Sequence, residues 1–426
     1  MRKKIASDNN KPIRNKPWMD NITTGKEEKE AVLKVLESGH LSLFEGSYKP
    51  DPPFSFWGGP YVQELERLWC KYYGMKFAVS VNSATSGLYA AIGALNLGYG
   101  DEIIVSPYTM SACATCALVY GAIPIFADVE LETGCLDPRS IEEKITPRTK
   151  AIVLIHQFGI PADMDLIMEI AEKHNLKIIE DCAQAHAAKY KGKFVGTFGD
   201  IAVHSLNVNK TIQTGEGGVC LTNDEELKYR LALIRNHGEI AVVGSGYENI
   251  VNTVGFNYRM TELQAAIGIE QLKKLNLYNK KRLELVKYLN EHLSKYDFFI
   301  VPSGRSNCYS TYYVYPLRYQ SDKLGIKREE LIKMINAEGI CFYQGYARPI
   351  YLQPLYQRKI AFKNGYPFSA PENKKIKTNY YKGACPNAER LHFEQMIINE
   401  HVRLPHTIDD MDDIIQAVEK VYKFIR

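Results

Sequence analysis

Lys210 lies in the run Asp200-Ile-Ala-Val-His-Ser-Leu-Asn-Val-Asn-Lys210-Thr-Ile-Gln-Thr-Gly-Glu-Gly-Gly218, downstream of Asp181, which ends the apolar run Leu176-Lys-Ile-Ile-Glu-Asp181. A lysine amine can form a Schiff base with an aldehyde, and a carboxylate can keep a ring nitrogen protonated so that the ring withdraws electrons. Each residue alone has an ordinary reading, a solvated loop lysine and a strand-end turn or cap. A third element sets them together. Val81-Asn-Ser-Ala-Thr-Ser-Gly87 follows an apolar run and opens a helical pattern, so the amides and hydroxyls of Thr85 and Ser86 would face outward at a helix N-terminus, where phosphate binds. Ser205 offers another hydroxyl five residues before Lys210. Amine, carboxylate, phosphate loop and the Gly-Glu-Gly-Gly turn together describe a pyridoxal phosphate site. Within it Gln184 is either a hydrogen-bond donor to the ring oxygen or a polar residue at a helix start. Once displaced from the cofactor, the lysine is the natural base for moving a proton on the substrate carbon.

The elements that must position these residues are visible as alternating patterns. Short apolar runs occur at Phe77 to Val81, Glu102 to Val105, Ile123 to Phe126, Ala151 to Ile155, Lys177 to Ile179, Ile201 to Val203 and Gly218 to Leu221. Helical patterns separate most of them, which predicts an α/β fold with a mainly parallel sheet covered by helices. Strand ends that converge at one sheet edge would bring Asp181 and Lys210 into one site. Asp163 is an expected N-cap for a helix carrying Ile167, Ile170, Ala171 and His174 on one face, with His174 packed or half exposed. Thr261-Glu-Leu-Gln264 is an expected capping box for a helix with Ala265, Gly268, Ile269 and Leu272 on one face. A separate charged helix is expected from about Asn279 to Lys295, then a strand over Thr311 to Arg318 and a helix over Arg328 to Ala337. The expected division is an N-terminal segment 1–44 with a helix near Glu27 to Glu37, a large cofactor-binding α/β domain 45–275, and a smaller α+β domain 276–426.

Composition narrows the function classes. The 426 residues are 45% hydrophobic and 24% charged, as in ordinary globular proteins, and the net charge of +4 gives no basic stripe for nucleic acid. Nine scattered cysteines argue against a disulfide framework and for a reducing compartment. Cys113-Ala-Thr-Cys116 lacks the partner pair a metal site needs, so no metal is expected. Met1-Arg-Lys-Lys is followed by polar residues rather than a signal-peptide core, and no run approaches the ~18 apolar residues of a membrane span. A cytoplasmic protein with neither membrane nor nucleic acid as partner is expected.

Four motifs, Glu180-Asp-Cys-Ala-Gln184, Gly199-Asp200 through Ser205 to Lys210, Thr214-Gly-Glu-Gly-Gly218 and Gly255-Phe-Asn-Tyr-Arg-Met260, resemble those of the DegT/DnrJ/StrS aminotransferases, which act on keto sugars and keto cyclitols. The resemblance runs over most of the chain. It implies the aspartate aminotransferase-like fold (fold type I), with Lys210 as the Schiff-base lysine, Asp181 as the pyridinium partner, Gln184 at the ring oxygen, and Thr85, Ser86 and Ser205 at the phosphate. It also implies a homodimer with shared sites, in which Asn257 reaches the neighbouring subunit's phosphate. Arg259 would then stand near an anionic part of the substrate or form a structural ion pair at the boundary. The chain departs from the pattern in two places. Pro107-Tyr-Thr-Met110 leaves Met110 or Tyr108 to cover the cofactor ring, and Pro349-Ile-Tyr351 stands where Pro-Leu-His is common, which makes Tyr351 a candidate substrate contact.

The expected reaction is transfer of an amino group from L-glutamate or L-glutamine to a keto sugar, nucleotide-linked, in amino sugar biosynthesis, with a keto cyclitol as the alternative acceptor. The related sugar dehydratases replace the lysine with histidine, and Lys210 argues against them. A non-catalytic cofactor-binding regulator is the alternative from another class. A nicotinamide enzyme is disfavoured because no G-x-G-x-x-G follows the first strand.

Overall fold

The computed structural model describes residues 11–247 and 250–426. The basic start Met1 to Lys4 lies outside them. All seven apolar runs form strands: β1 (Phe77–Val81), β2 (Glu102–Val105), β3 (Ile123–Phe126), β4 (Thr149–Ile155), β5 (Lys177–Asp181), then Ile201–Ser205 and Gly218–Thr222. They form one sheet in the order β1, 218–222, 201–205, β5, β4, β2, β3. Pairing from 201–205 out to β3 is parallel, and Gly218–Thr222 runs antiparallel to both of its neighbours. β1 therefore points the same way as the parallel strands, so their C-terminal ends share one edge. Helices on both faces explain why Val79, Ile103, Ile104, Val153 and Ile179 are all buried and why the runs do not alternate with polar residues.

The register sets the chemistry-bearing ends side by side. Ile155 pairs with Asp181, and Asp181 pairs with Val203, two residues before Ser205. Beneath Asp181, the fully buried Glu180 accepts the amides of Gly196, Phe198 and Gly199 at 2.7 Å each and faces His156 Nε2 at 3.1 Å. Burial pushes the Glu180 pKa up, but His156 and these amides outweigh it, so the carboxylate stays ionised. His156, Glu180 and Cys182 place ligand atoms within 4.8 Å of one another. With the Glu180 oxygens taken by backbone amides, the cluster serves as a support under β5.

Asp163 caps Met164–His174, and Thr261 with Gln264 closes the expected capping box. At Gly268 an added Cβ would stand 3.2 Å from Leu65, so the small residue lets this helix press against Pro60–Tyr73. The expectation of two helices here is corrected: Glu262–Leu293 is one helix of 32 residues. No glycine or proline interrupts Leu272 to Asn279, and the buried stripe continues through Leu275, Asn279 and Arg282. The same helix gives Leu272 and Leu275 to the large-sheet core and Leu285, Leu289 and Leu293 to a second core.

That second core lies under a four-stranded antiparallel sheet, ordered Phe299–Ile300, Tyr315–Tyr319, Met396–Asn399, Tyr343–Gln344, with helices Arg328–Ala337 and Ile408–Ile425 packed on it. Two further expectations change. The strand expected from Thr311 begins only at Tyr315, because Tyr312 has φ 45° and the amides before the strand bond to the short turn Gln157–Gly159 after β4: Thr311 donates to Gly159 O at 2.9 Å and Tyr313 to Phe158 O at 2.8 Å. Residues 350–391, placed by sequence in the smaller unit, instead pack on the large sheet. Asn379 brackets Phe126 of β3, Tyr380 donates to Pro124 O at 2.7 Å, and Asn387 and Ala388 donate to Asp128.

Candidate active site

After Ser205 the chain folds back on itself, with Leu206 donating to Gly217 O and Val208 to Gly215 O at 2.8 Å, so Lys210 sits at the turn of a pinned loop. From the other side, Asn21 Nδ2 donates to Val208 O at 2.8 Å and Lys210 O at 3.0 Å. The Lys210 side chain is 9% exposed, and its Nζ lies 4.4 Å from the ring centroid of Tyr313. Among the described residues it makes no hydrogen bond or ion pair. Burial pushes its pKa below the ordinary lysine value, against opposing pulls from Asp181 and Cys113. More of the nucleophilic free amine is therefore present at neutral pH than in a solvated lysine.

Asp181 is 6% exposed. Its Oδ1 accepts the Ala183 amide and its Oδ2 accepts the Cys113 thiol, both at 2.9 Å, which fixes the carboxylate plane. Cys113 belongs to Ala112–Val119, the helix that follows β2, and burial beside Asp181 raises its pKa well above the usual value, so it acts as a neutral donor. Gln184 Oε1 accepts the Phe158 amide at 2.7 Å, which turns Nε2 outward to Tyr346 Oη at 3.1 Å. The side chain thus presents N–H groups toward the site, as a contact to a ring oxygen requires.

The phosphate-type loop forms as the sequence implies. Ser83 caps Ala84–Ala94, its Oγ accepting the Ser86 amide at 3.1 Å and lying 2.9 Å from Ser86 Oγ, while Ser86 Oγ donates to Asn82 Oδ1 at 2.6 Å. Among the described residues the amides of Ala84 and Thr85 have no partner, and Thr85 is exposed. Ser205 is buried, with Oγ accepting from Asn207 N at 3.3 Å. Gly218 lets this loop approach: a Cβ there would lie 2.8 Å from Ala84 N and 2.9 Å from Ser83 C and His204 O.

Unpartnered helix-terminal amides, a buried free lysine and a fixed carboxylate on one sheet edge form a donor set that fits pyridoxal phosphate. Of the two residues expected to cover the ring, Tyr108 is fully buried against Phe158, Tyr346 and His392, whereas Met110 is 58% exposed at the loop end before Cys113. Asn257 and Arg259 lie next to the phosphate loop of their own chain. Asn82 donates to Asn257 O at 3.2 Å and to Tyr258 O at 2.7 Å, and Arg259 Nε donates to Asn257 Oδ1 at 2.9 Å. No carboxylate among the described residues pairs with Arg259. Tyr351 is corrected: it is fully buried, tilted against Phe126, with its hydroxyl donated to Glu389 at 2.5 Å, so it supports the sheet edge and does not face substrate. Sequence reasoning missed Cys113, Tyr313, Tyr346 and Asn21. Only Cys113 carried a signal, as half of the Cys113-Ala-Thr-Cys116 motif, which lacked the partner pair of a metal site.

Comparisons with known proteins agree with this arrangement. L-Glutamine:2-deoxy-scyllo-inosose aminotransferase of Streptoalloteichus tenebrarius is 30% identical over 433 residues, covering 98% of this chain and 97% of its own. GDP-perosamine synthase of Escherichia coli O157:H7 is 34% identical over 338 residues, 79% of this chain and 85% of its own. An aminotransferase structure from Psychrobacter cryohalolentis superposes with TM-score 0.80 at 31% identity, covering 96% of this chain and 99% of that one. The family model matches residues 54–419. With lysine, aspartate and phosphate loop in place, the chain belongs to the DegT/DnrJ/EryC1/StrS aminotransferase family and is a pyridoxal phosphate-dependent aminotransferase.

Proposed function

We propose that this aminotransferase moves the amino group of L-glutamate or L-glutamine onto a keto sugar, nucleotide-linked, in the making of an amino sugar. The observation that carries the reading is the buried, unpaired Lys210 amine beside the fixed Asp181 carboxylate. A keto cyclitol is the second acceptor, favoured by the fuller overlap with the inosose enzyme, 98% of the chain against 79% for the perosamine enzyme.

Pyridoxal phosphate, when bound, supplies an electron-withdrawing ring that acidifies the carbon next to the transferred nitrogen. In this reading the Ala84 and Thr85 amides with the Thr85, Ser86 and Ser205 hydroxyls hold the phosphate. Asp181 keeps the ring nitrogen protonated, Gln184 donates to the ring oxygen, and Met110 covers the ring face. Lys210, released as a free amine, takes the proton from the donor carbon and returns one on the acceptor side.

The exposed apolar side chains Ile240, Val243, Ile250, Val251 and Val254 cluster in one segment, a patch that supports a homodimer. Asn257 and Arg259 follow that segment and in the dimer would reach the neighbouring phosphate and substrate. Sedimentation is expected to give twice the chain mass, and a monomer would remove the shared-site arrangement. Nine free cysteines support a cytoplasmic setting. Among the described residues no helix is long and apolar enough to cross a membrane. The unit boundary proposed near residue 275 falls within the long helix, with 350–391 assigned to the large unit.

The deciding experiment is the visible spectrum of the cofactor-loaded protein. A yellow band that bleaches with glutamate or glutamine and returns with a keto sugar is expected. A stable band indifferent to every amino donor would favour a non-catalytic cofactor-binding protein.

A further inference from the structure

Residues 11–25 form no helix or strand, yet the chain there is held at close intervals, first by the smaller unit and then by the loop that carries Lys210. Arg14 is buried, and its Nη1 meets Asp410 at 2.8 Å and Asp413 at 2.7 Å, both on the helix Ile408–Ile425. Its guanidinium lies 3.7 Å from the centre of the Trp18 ring. That ring stacks on His401, with centroids 5.0 Å apart, and donates through Nε1 to Gly339 O at 2.9 Å. Gly339 has φ 88°, and a Cβ there would stand 2.1 Å from Arg14 O, so the smaller unit is shaped to let this segment pass in contact. The Met19 amide then donates to His406 Nε2 at 3.1 Å. Two residues later the segment reaches the lysine loop. One side-chain nitrogen, Asn21 Nδ2, donates to Val208 O at 2.8 Å and to Lys210 O at 3.0 Å. Thr23 O accepts Gln271 Nε2 at 3.0 Å, and Gln271 Oε1 takes the Gln213 amide at 3.2 Å. The loop is therefore gripped on both sides of Lys210.

Among the described residues the Lys210 amine has no hydrogen bond or ion pair of its own, so the main chain and the side-chain rotamers alone fix where it stands. A base that leaves the cofactor and must return to one carbon needs its anchor held to about 0.5 Å. Main-chain bonds within the loop supply part of that hold, but among the described residues they leave the carbonyls of Val208 and Lys210 for a donor from elsewhere. Resting on the amino-transfer reading, we infer that Asn21 is a positioning residue for Lys210 and that residues 11–25 are the strap that holds it in place, anchored in the smaller unit at Arg14 and Trp18. Asparagine suits the task because its NH₂ carries two donors and can serve two carbonyls at once. An aspartate of the same shape would set a further oxygen against them. The lysine turn thus takes its position from the smaller unit as well as from the large sheet.

The test compares Asn21→Asp, Asn21→Gln and Trp18→Ala with the wild type. Asn21 is a half-buried polar residue, so its variants keep the cores and are expected to fold. In cofactor-loaded Asn21→Asp the bleaching rate at saturating glutamate or glutamine is expected to fall about tenfold, the scale of a lost and opposed hydrogen bond, while the half-saturating donor concentration stays the same. Asn21→Gln, which keeps both donors, should recover most of the rate. Trp18→Ala removes a ring whose partners are Arg14, Gly339, His401 and His406, none of them in the lysine loop, and should slow the same step about threefold. Added to Asn21→Asp it should cost nothing more, because the strap acts as one unit. A second readout needs no amino donor: capture of pyridoxal phosphate by the cofactor-free protein, stopped with borohydride and measured by mass as cofactor fixed on Lys210. Capture should be slowest in Asn21→Asp and near wild type in Asn21→Gln. That order sustains the strap even where no amino group is transferred by any of the proteins and the amino-transfer reading fails. Wild-type capture and bleaching in Asn21→Asp, an effect confined to the half-saturating donor concentration, or equal losses in Asn21→Asp and Asn21→Gln would overturn it. So would a Trp18→Ala loss that multiplies with that of Asn21→Asp.

Discussion

Lys210→Ala is expected to yield a folded protein that lacks the yellow band and transfers no amino group, with turnover reduced at least about 10⁴-fold. Two functions disappear together: the covalent hold on the cofactor and the base that moves the proton. The fold should survive because the Lys210 side chain contributes no hydrogen bond or ion pair among the described residues, while the loop is held by main-chain bonds and by Asn21. Stability should even favour a neutral replacement. The folded pKa lies below the ordinary 10.5, so the buried ammonium is a cost that is fully present below the folded value and fades as pH rises toward 10.5. Cofactor-free Lys210→Met should therefore melt at or above the wild type at pH 7, and the difference should shrink in alkaline buffer. Cofactor capture by the wild type should speed up with pH and level off below 10.5. Normal turnover by Lys210→Ala would remove the lysine from the mechanism.

The strands were legible because a sheet covered on both faces needs near-continuous apolar runs, and Phe77–Val81, Glu102–Val105 and Ile123–Phe126 show them with clear breaks at either end. The lysine, the aspartate and the capped loop were legible because strand-end position and helix-start chemistry are local properties. What was not legible depends on contacts between distant segments. Tyr313 reaches Lys210 only because Thr311 and Tyr313 pair with Gly159 and Phe158 instead of extending their own strand. The return of 350–391 to β3 rests on asparagine side chains bonding to main-chain groups some 250 residues away, and no local pattern announces that. Tyr351 was misread for the same reason: its partner Glu389 lies in that returning segment. The division of the long helix failed because its charged face changes while its buried stripe does not.

Asp181→Asn is expected to retain cofactor and fold yet slow the donor reaction about 10³-fold, the scale on which removal of a fixed charge complement slows a buried reaction. Asparagine has nearly the shape of aspartate. Its remaining oxygen can still accept the Ala183 amide, and its NH₂ can face the Cys113 sulfur, a weak acceptor, in place of Oδ2. What it cannot do is stabilise a proton on the ring nitrogen, so the ring withdraws electrons less and the donor carbon becomes a weaker acid. The loss should appear in the rate of bleaching at saturating donor, with the donor concentration needed for half-saturation little changed, because the carboxylate acts on the reacting charge and not on donor binding. Cys113→Val serves as the control, since it removes the thiol donor but leaves the charge, and it should cost far less than Asp181→Asn. If the two variants slow the reaction equally, the site depends on the fixed geometry around β5 and not on the carboxylate charge. If Asp181→Asn bleaches within tenfold of the wild type, Asp181 is a strand-end cap for Ala183, and the proton on the ring must be held by another group.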